Sequence, residues 1–391
     1  MNITHEELSL RCQKVSKALM DNGCEAVLLR SIPNHIYLTG SVFLGFTFLK
    51  AGEAPIFFAE KPSQALAGYD RAHLIRKPEQ MPEILAEYGY EVNGKTCIES
   101  STLPYAEYQR LSKVSKDGTF SPIDASVLMR TVRSVKTSVE IEIIRQAALP
   151  HMEIYKIAPS LFKKGMTDLE WQFAIEYEMR KRGSIGVFRC FGPRMEIFMG
   201  NIAAGNNANI SAPYDFTMGG QGVPAMPMGA SGQVISEGMT LMLDMAGNYS
   251  PYNTDITRVY AYGKVDQKAI DAHNLSIEMH RYFESQVKPG VELAEVYNHC
   301  TKMAEEAGLS AHFMGQDHQV KFVGHGVGIE INEPPVMTPR WKGVFEPGMV
   351  MAFEPKFVLA PTGALGIENT YLITESGVEN LTPLPEEIVY L

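Results

Sequence analysis

A layout that occurs twice constrains the fold of this chain more than any other feature. Lys163-Lys164-Gly165 precedes a helical stretch that stops at Gly183, and Lys288-Pro289-Gly290 precedes another that stops at Gly308. Both glycine pairs lie 18 residues apart, and Glu170 and Glu295 share the same offset of 125. Longer helical segments, about 138–160 and 267–287, stand before each copy, and β-rich sequence follows each. The pattern reads as an internal duplication, two helix-plus-sheet halves facing each other across a cleft. Two capped helices can also resemble each other by chance, and spacing alone does not separate the two readings.

The first copy is the better marked. Thr137 and Glu140 form a capping box before one helix, and Thr167 and Glu170 form another before WQFAIEYEMRKR. Arg180, Lys181 and Arg182 fall in the last turn of that helix, where they suit the negative end of its dipole. Upstream, residues 1–130 have a different texture. A helix begins at Thr4, with Glu7 three residues on, and runs to Gly23. Short apolar runs then alternate with Pro, Gly and Asn, and no acidic or histidine cluster appears. His35 and His73 in this stretch read as structural histidines. At roughly 150 residues per domain, 391 residues suggest two or three domains. The division expected is a small α/β domain at 1–130 and a larger one at 131–391.

Composition removes several functions. A net charge of −10 and a pI near 5.6 argue against a nucleic-acid partner, which would require a clustered basic face. No run reaches the ~18 apolar residues of a membrane span, and the polar start MNITHEELSLRCQ lacks an apolar leader core. Five scattered cysteines without CxxC spacing fit a reduced, cytoplasmic protein.

Five residues in the C-terminal half point to chemistry. They are Asp244 in LMLDMAG, Asp255 in NTDITRV, His325 in VGHGVGIEI, Glu354 in MAFEPKF and Glu368 in GIENTYLI. Aspartate is depleted in strands, and an ionised carboxylate inside an apolar interior costs several kcal/mol or more unless compensated. Four such acids need a common partner. Two divalent cations would balance four carboxylates, and an oxygen-rich donor set with one imidazole suits hard or borderline metals. Asp244 and Asp255 flank the turn-rich AGNYSPYN, and Glu354 and Glu368 flank LAPTGALG, so both pairs read as strand, loop and returning strand. Alternate residues of such strands share a face, which lets the side chains converge.

In this order and spacing, LDMAG, TDITR, GHGVG, FEP and IEN resemble the pita-bread metallohydrolases, which include methionine aminopeptidase, aminopeptidase P, prolidase and the metal-free creatinase. The resemblance spans nearly the whole chain, because the creatinase and prolidase branch also has a smaller N-terminal domain. It implies an α/β (α+β) architecture with pseudo-twofold halves in the catalytic domain. It also implies a dinuclear centre of Mn, Co, Zn or Fe, manganese favoured, bound by Asp244, Asp255, His325, Glu354 and Glu368. The implied reaction is hydrolysis of a C–N bond by a hydroxide bridging the two metals, with Glu354 doubling as general base. An Xaa-Pro dipeptidase or aminopeptidase is the leading expectation, and a homodimer the expected assembly. Hydrolysis of a small non-peptide amide or amidine-like compound is the alternative, and a catalytically silent binding protein is a further one.

The sequence departs from the family where the substrate is handled. Asn332 stands where a histidine usually follows the ligand histidine by seven residues; it can donate a hydrogen bond but cannot change charge near neutral pH. Pro213-Tyr214-Asp215 occupies the place of another histidine, and none occurs between His151 and His273. Lys321 replaces the first histidine of a HisxxxHis pair, and Gly366 replaces an arginine. Asn332 is therefore a candidate catalytic residue, and Tyr214 and Lys321 are candidate substrate-binding residues. The segment 217–232, TMGGQGVPAMPMGASG, reads as a loop beside the site, either a substrate-side lid or a surface insertion.

Overall fold

A computed structural model describes residues 3–192, 199–214 and 218–391; Asp215 and Thr217 lie outside the described residues. The chain divides into two compact units, Met1–Arg133 and Ser134–Leu391.

In the first unit, helix His5–Asp21 starts where Thr4 Oγ1 accepts the Glu7 amide at 3.2 Å. The Glu7 carboxylate also accepts Arg11 Nε at 2.6 Å, a buried pair. A five-stranded sheet follows in the order Ala72–Leu74, Ile56–Lys61, Leu44–Lys50, Ala26–Leu29 and Thr96–Ile98. The central three strands are antiparallel, and each edge strand runs parallel to its neighbour. Alternate residues Phe46, Phe48, Ile56 and Phe58 fill one core beneath it. His35 is fully buried, stacked on Phe43 and bonded to its carbonyl at 3.2 Å. His73 bonds the Tyr88 hydroxyl at 2.9 Å. Both histidines are structural.

The second unit contains the repeat. Helices Ser138–Leu161 and Asp168–Lys181 begin at Thr137 and Thr167, each with a complete capping box. Strands Gly200–Ala204, Met239–Gly247 and Thr254–Tyr262 then pair antiparallel in that order. Helices Gln267–Gln286 and Leu293–Glu306 open the second half, and strands Gly324–Gly326, Val350–Phe353 and Asn369–Ile373 pair antiparallel in the same order. One element breaks the symmetry. The hairpin Lys356–Leu359/Gly363–Gly366, inserted between the last two strands, crosses over to extend the first half's sheet through a pairing of Gly363 with Ala204.

Each half has its own core. Ile154, Trp171, Ile175 and Met179 of the first helix pair pack on Leu241, Leu243, Ile256 and Tyr260. Ala272, Met279, Phe283 and Cys300 of the second pack on Met351, Phe353, Tyr371 and Ile373. Strand alternation then fixes where the acids go. Asp244 has the parity opposite to Leu241 and Leu243, and Asp255 the parity opposite to Ile256. Glu354 is out of phase with Met351 and Phe353, and Glu368 with Tyr371 and Ile373. The four acids thus lie on the faces that turn away from each half's helices.

Candidate metal centre

Register brings the five sequence-predicted residues together. Asp255 lies opposite Ala246, so Asp244, two residues back along that strand, is its diagonal neighbour on one face. His325 lies opposite Ala352, which places Glu354 in the same diagonal relation to it. A bridge beside the acids joins the halves: the Thr257 and Glu368 backbones exchange hydrogen bonds at 3.2 and 3.3 Å, and Thr257 Oγ1 donates to Glu368 Oε2 at 2.6 Å. Thr370 fixes the Asp255 backbone, accepting its N–H and donating to its carbonyl, both at 2.9 Å. Tyr155, from the first helix, donates to the Ile256 carbonyl and accepts the Met245 amide, which ties the two aspartate strands together.

His325 Nδ1 lies 3.0 Å from the Gly326 carbonyl. A carbonyl only accepts, so Nδ1 donates that bond and Nε2 is left facing the acids. Nε2 is 3.5 Å from Glu354 Oε1 and 3.9 Å from Asp255 Oδ2. Asp255, His325 and Glu368 each offer one ligand atom, all within 4.8 Å of one another, a span that one cation can bridge by drawing them in.

A residue that sequence reasoning missed sits among the other acids. Lys356 is fully buried, and its Nζ reaches Glu354 Oε2 at 2.8 Å, Asp244 Oδ2 at 2.9 Å and Glu368 Oε2 at 3.3 Å. Burial alone would lower its pKa, but Asp244, Glu354 and Glu368 outweigh it and hold the ammonium well above its ordinary value. The carboxyls are raised as well, but by burial and by one another. Burial, then the charges of Glu368, Asp244 and Glu354, lifts Asp255 well above its usual range. Burial pushes Glu368 up to about 8 against the pull of Lys356. One ammonium therefore satisfies only part of the acidic cluster. The donor set fits a divalent cation at Asp255, His325 and Glu368, whereas the space among Asp244, Glu354 and Glu368 already contains a positive charge. A signal for Lys356 was present in the sequence. Lysine is almost never fully buried without a partner, and here it opens the apolar run FVL two residues after Glu354.

The substrate candidates are placed differently. Asn332 Oδ1 accepts the Phe191 amide at 3.0 Å, and its Nδ2 donates to the Phe191 carbonyl at 3.3 Å, so the amide clamps one backbone residue from both sides. Imidazole cannot reproduce that two-point clamp. Asn332→His is expected to cost about 1 kcal/mol of stability without raising peptide turnover; higher turnover at unchanged Tm would instead identify Asn332 as a tuned substrate contact. Tyr214 is half-buried and, with Ile210, Met218, His318 and Phe322, lines a cavity of ≈ 360 Å³. Lys321 is exposed. Gly366 has φ +115, and a Cβ there would lie 2.5 Å from the Pro355 carbonyl oxygen, so this backbone excludes an arginine at that position.

The Gly/Met-rich loop is built into the unit. Asn207 holds it from two sides, donating to the Gly229 carbonyl at 2.8 Å and accepting the Gln221 amide at 2.7 Å. The Asp168 carboxylate accepts the amides of Ser231 and Gly232 at 3.0 and 2.7 Å, and Met218 and Met228 are buried.

Two duplicated halves that bring acids and an imidazole together from facing strands define the pita-bread class of metallohydrolase folds. Residues 142–375 match metallopeptidase family M24, and residues 11–135 match the creatinase/prolidase N-terminal domain. This chain belongs to metallopeptidase family M24. It is 27% identical to an Xaa-Pro dipeptidase of Pyrococcus horikoshii over 100% of both chains, and 26% identical to one of Pyrococcus furiosus over 97% of this chain and 99% of that one. Its fold matches the solved Xaa-Pro dipeptidase from Bacillus anthracis with a TM-score of 0.81 at 23% identity, covering 98% of this chain and 100% of that one. The prolidase structure from Pyrococcus horikoshii matches with a TM-score of 0.78 at 24% identity, covering 97% and 100%. Among the described residues, no helix is long and apolar enough to cross a membrane.

Proposed function

We propose that this protein is a metal-dependent hydrolase of C–N bonds in small peptides, with Xaa-Pro dipeptides as the leading substrate class. The observation that carries this reading is the convergence of Asp255, His325 and Glu368 from separate strands to within 4.8 Å, in a chain of family M24. A divalent ion held by Asp255, His325 and Glu368 would supply Lewis acidity for activating water and polarising a scissile carbonyl. The oxygen-rich donors favour manganese among the first-row candidates. Four carboxylates balance two divalent ions by charge, yet Lys356 already contributes one positive charge, which makes the ion count a property to measure.

The chain's own groups divide the remaining work. Glu354 acts as general base, taking a proton from water and passing it to the leaving nitrogen. Its Oε2 is fixed by Lys356 and its Oε1 faces His325, so the carboxylate is oriented before substrate arrives. Thr257 and Thr370 hold Glu368 and Asp255 in register. The cavity beside Tyr214 is the proposed substrate pocket. A small non-peptide amide is the second reading, favoured by the commitment of Asn332 to Phe191 and the closed backbone at Gly366. Five free cysteines suit a reducing cytoplasm, and a homodimer is the proposed assembly. The test is turnover of an Xaa-Pro dipeptide panel and of small amides by the manganese-loaded protein. Dipeptide cleavage lost on chelation supports the first reading; cleavage of amides alone moves the assignment to the second, and turnover of neither rejects both.

A further inference from the structure

The three N–H bonds of the Lys356 ammonium meet three oxygens, Glu354 Oε2, Asp244 Oδ2 and Glu368 Oε2. An ammonium has three donors and no acceptor, so its capacity is matched by these carboxylates. A first-row ion bonded to the same three oxygens at about 2.0–2.2 Å would sit far inside contact distance of Nζ. The lysine stem is also held in place. The Lys356 carbonyl accepts the Met314 amide at 2.8 Å, Lys356 lies opposite Gly366 in the hairpin, and a Cβ on Gly366 would lie 3.1 Å from the Lys356 Cα. The lysine side chain has no exposure to solvent.

We infer that Lys356 takes the place of one of the two cations that four carboxylates would otherwise demand, so that the site carries a single divalent ion held by Asp255, His325 and Glu368. The inference rests on the metal-binding part of the proposed function. It is also consistent in charge. Lys356 and one divalent ion supply +3 against four carboxylates, whereas two ions with Lys356 would supply +5 and leave the centre cationic. Asp244, the acid paired with Lys356 and not among the three convergent ligands, keeps a place in the cluster as the counter-ion of the lysine. Lys356 is a positioning residue: its donors are spent on Asp244, Glu354 and Glu368, and it acts through them.

The experiment is metal counting on the full chain, loaded with Mn(II), freed of excess ion and analysed by elemental mass spectrometry and EPR. The wild type is expected to retain one manganese per chain with an uncoupled Mn(II) signal. Lys356→Ala is expected to retain two, with an exchange-coupled signal, and Asp244→Asn is expected to retain one. Two ions per wild-type chain, no retained ion, or loss of the ion in Asp244→Asn would each overturn the proposal. The wild-type and Asp244→Asn counts decide the matter even if Lys356→Ala does not fold. One ion in a protein that cleaves no C–N bond leaves this inference standing and rejects the hydrolase reading instead.

Discussion

Glu354→Gln is expected to lower kcat by about 10³-fold, within the 10²–10⁴-fold span typical of a removed general acid or base, while leaving the protein folded. The fold should tolerate the change because Glu354 is held by its backbone: its amide donates to the Val323 carbonyl at 2.9 Å, one step beyond the paired strand Val350–Phe353. Glutamine has nearly the same shape, and its side-chain oxygen still accepts from Lys356. What it cannot do is take up a proton. The comparison belongs at saturating Mn(II), since Glu354 also faces His325 Nε2 at 3.5 Å and its loss would weaken ion binding. Measured kcat, Tm and retained manganese together separate the outcomes. Full activity in the variant contradicts the role given to Glu354, and a collapse of Tm means the substitution has reported on folding.

The residues that were legible in the sequence are those whose local rule and tertiary role agree. Thr137 and Thr167 cap helices at the predicted positions because a capping box is satisfied within four residues. The four acids and the histidine stand out because each is polar in a run that strand alternation buries on both faces. The hairpin Lys356–Leu359/Gly363–Gly366 was not foreseen. Its turn-rich tip reads like a simple connection between Glu354 and Glu368, and its pairing with Ala204 of the other half is a long-range event with no local signature. Lys356 is overlooked for a different reason: uncompensated acids point to metals, while the chain supplies part of the compensation two residues from Glu354. Asn332 was read by its place in a motif, but its partner Phe191 is distant in sequence, and spacing does not reveal that clamp.

Removing the divalent ion is expected to lower Tm more strongly as pH rises from about 4.5 to about 8. In the ion-free protein, burial raises Glu368 to about 8 and Asp255 well above its usual range. A carboxyl whose folded pKa exceeds its unfolded value binds more protons in the native state, so stability is lost as pH rises through that interval and the penalty is fully present above about 8. A divalent ion compensates the same charges and removes the penalty. Each pH unit over which one proton is displaced is worth about 1.4 kcal/mol. A few kcal/mol at pH 8 corresponds to roughly 10 °C for a unit of this size. Histidines act in the other direction. Burial lowers His151 to about 3 and His273 to about 4, so their contribution is present above the ordinary value of 6.5 and is lost as pH falls towards 4. That acid-side loss affects loaded and chelated protein alike and cancels in the difference between them. Thermal melts of manganese-loaded and EDTA-treated protein at matched pH therefore isolate the carboxylate cluster. A Tm difference that stays flat from pH 5 to 8 would show that Asp255 and Glu368 are not the groups whose charge the ion compensates.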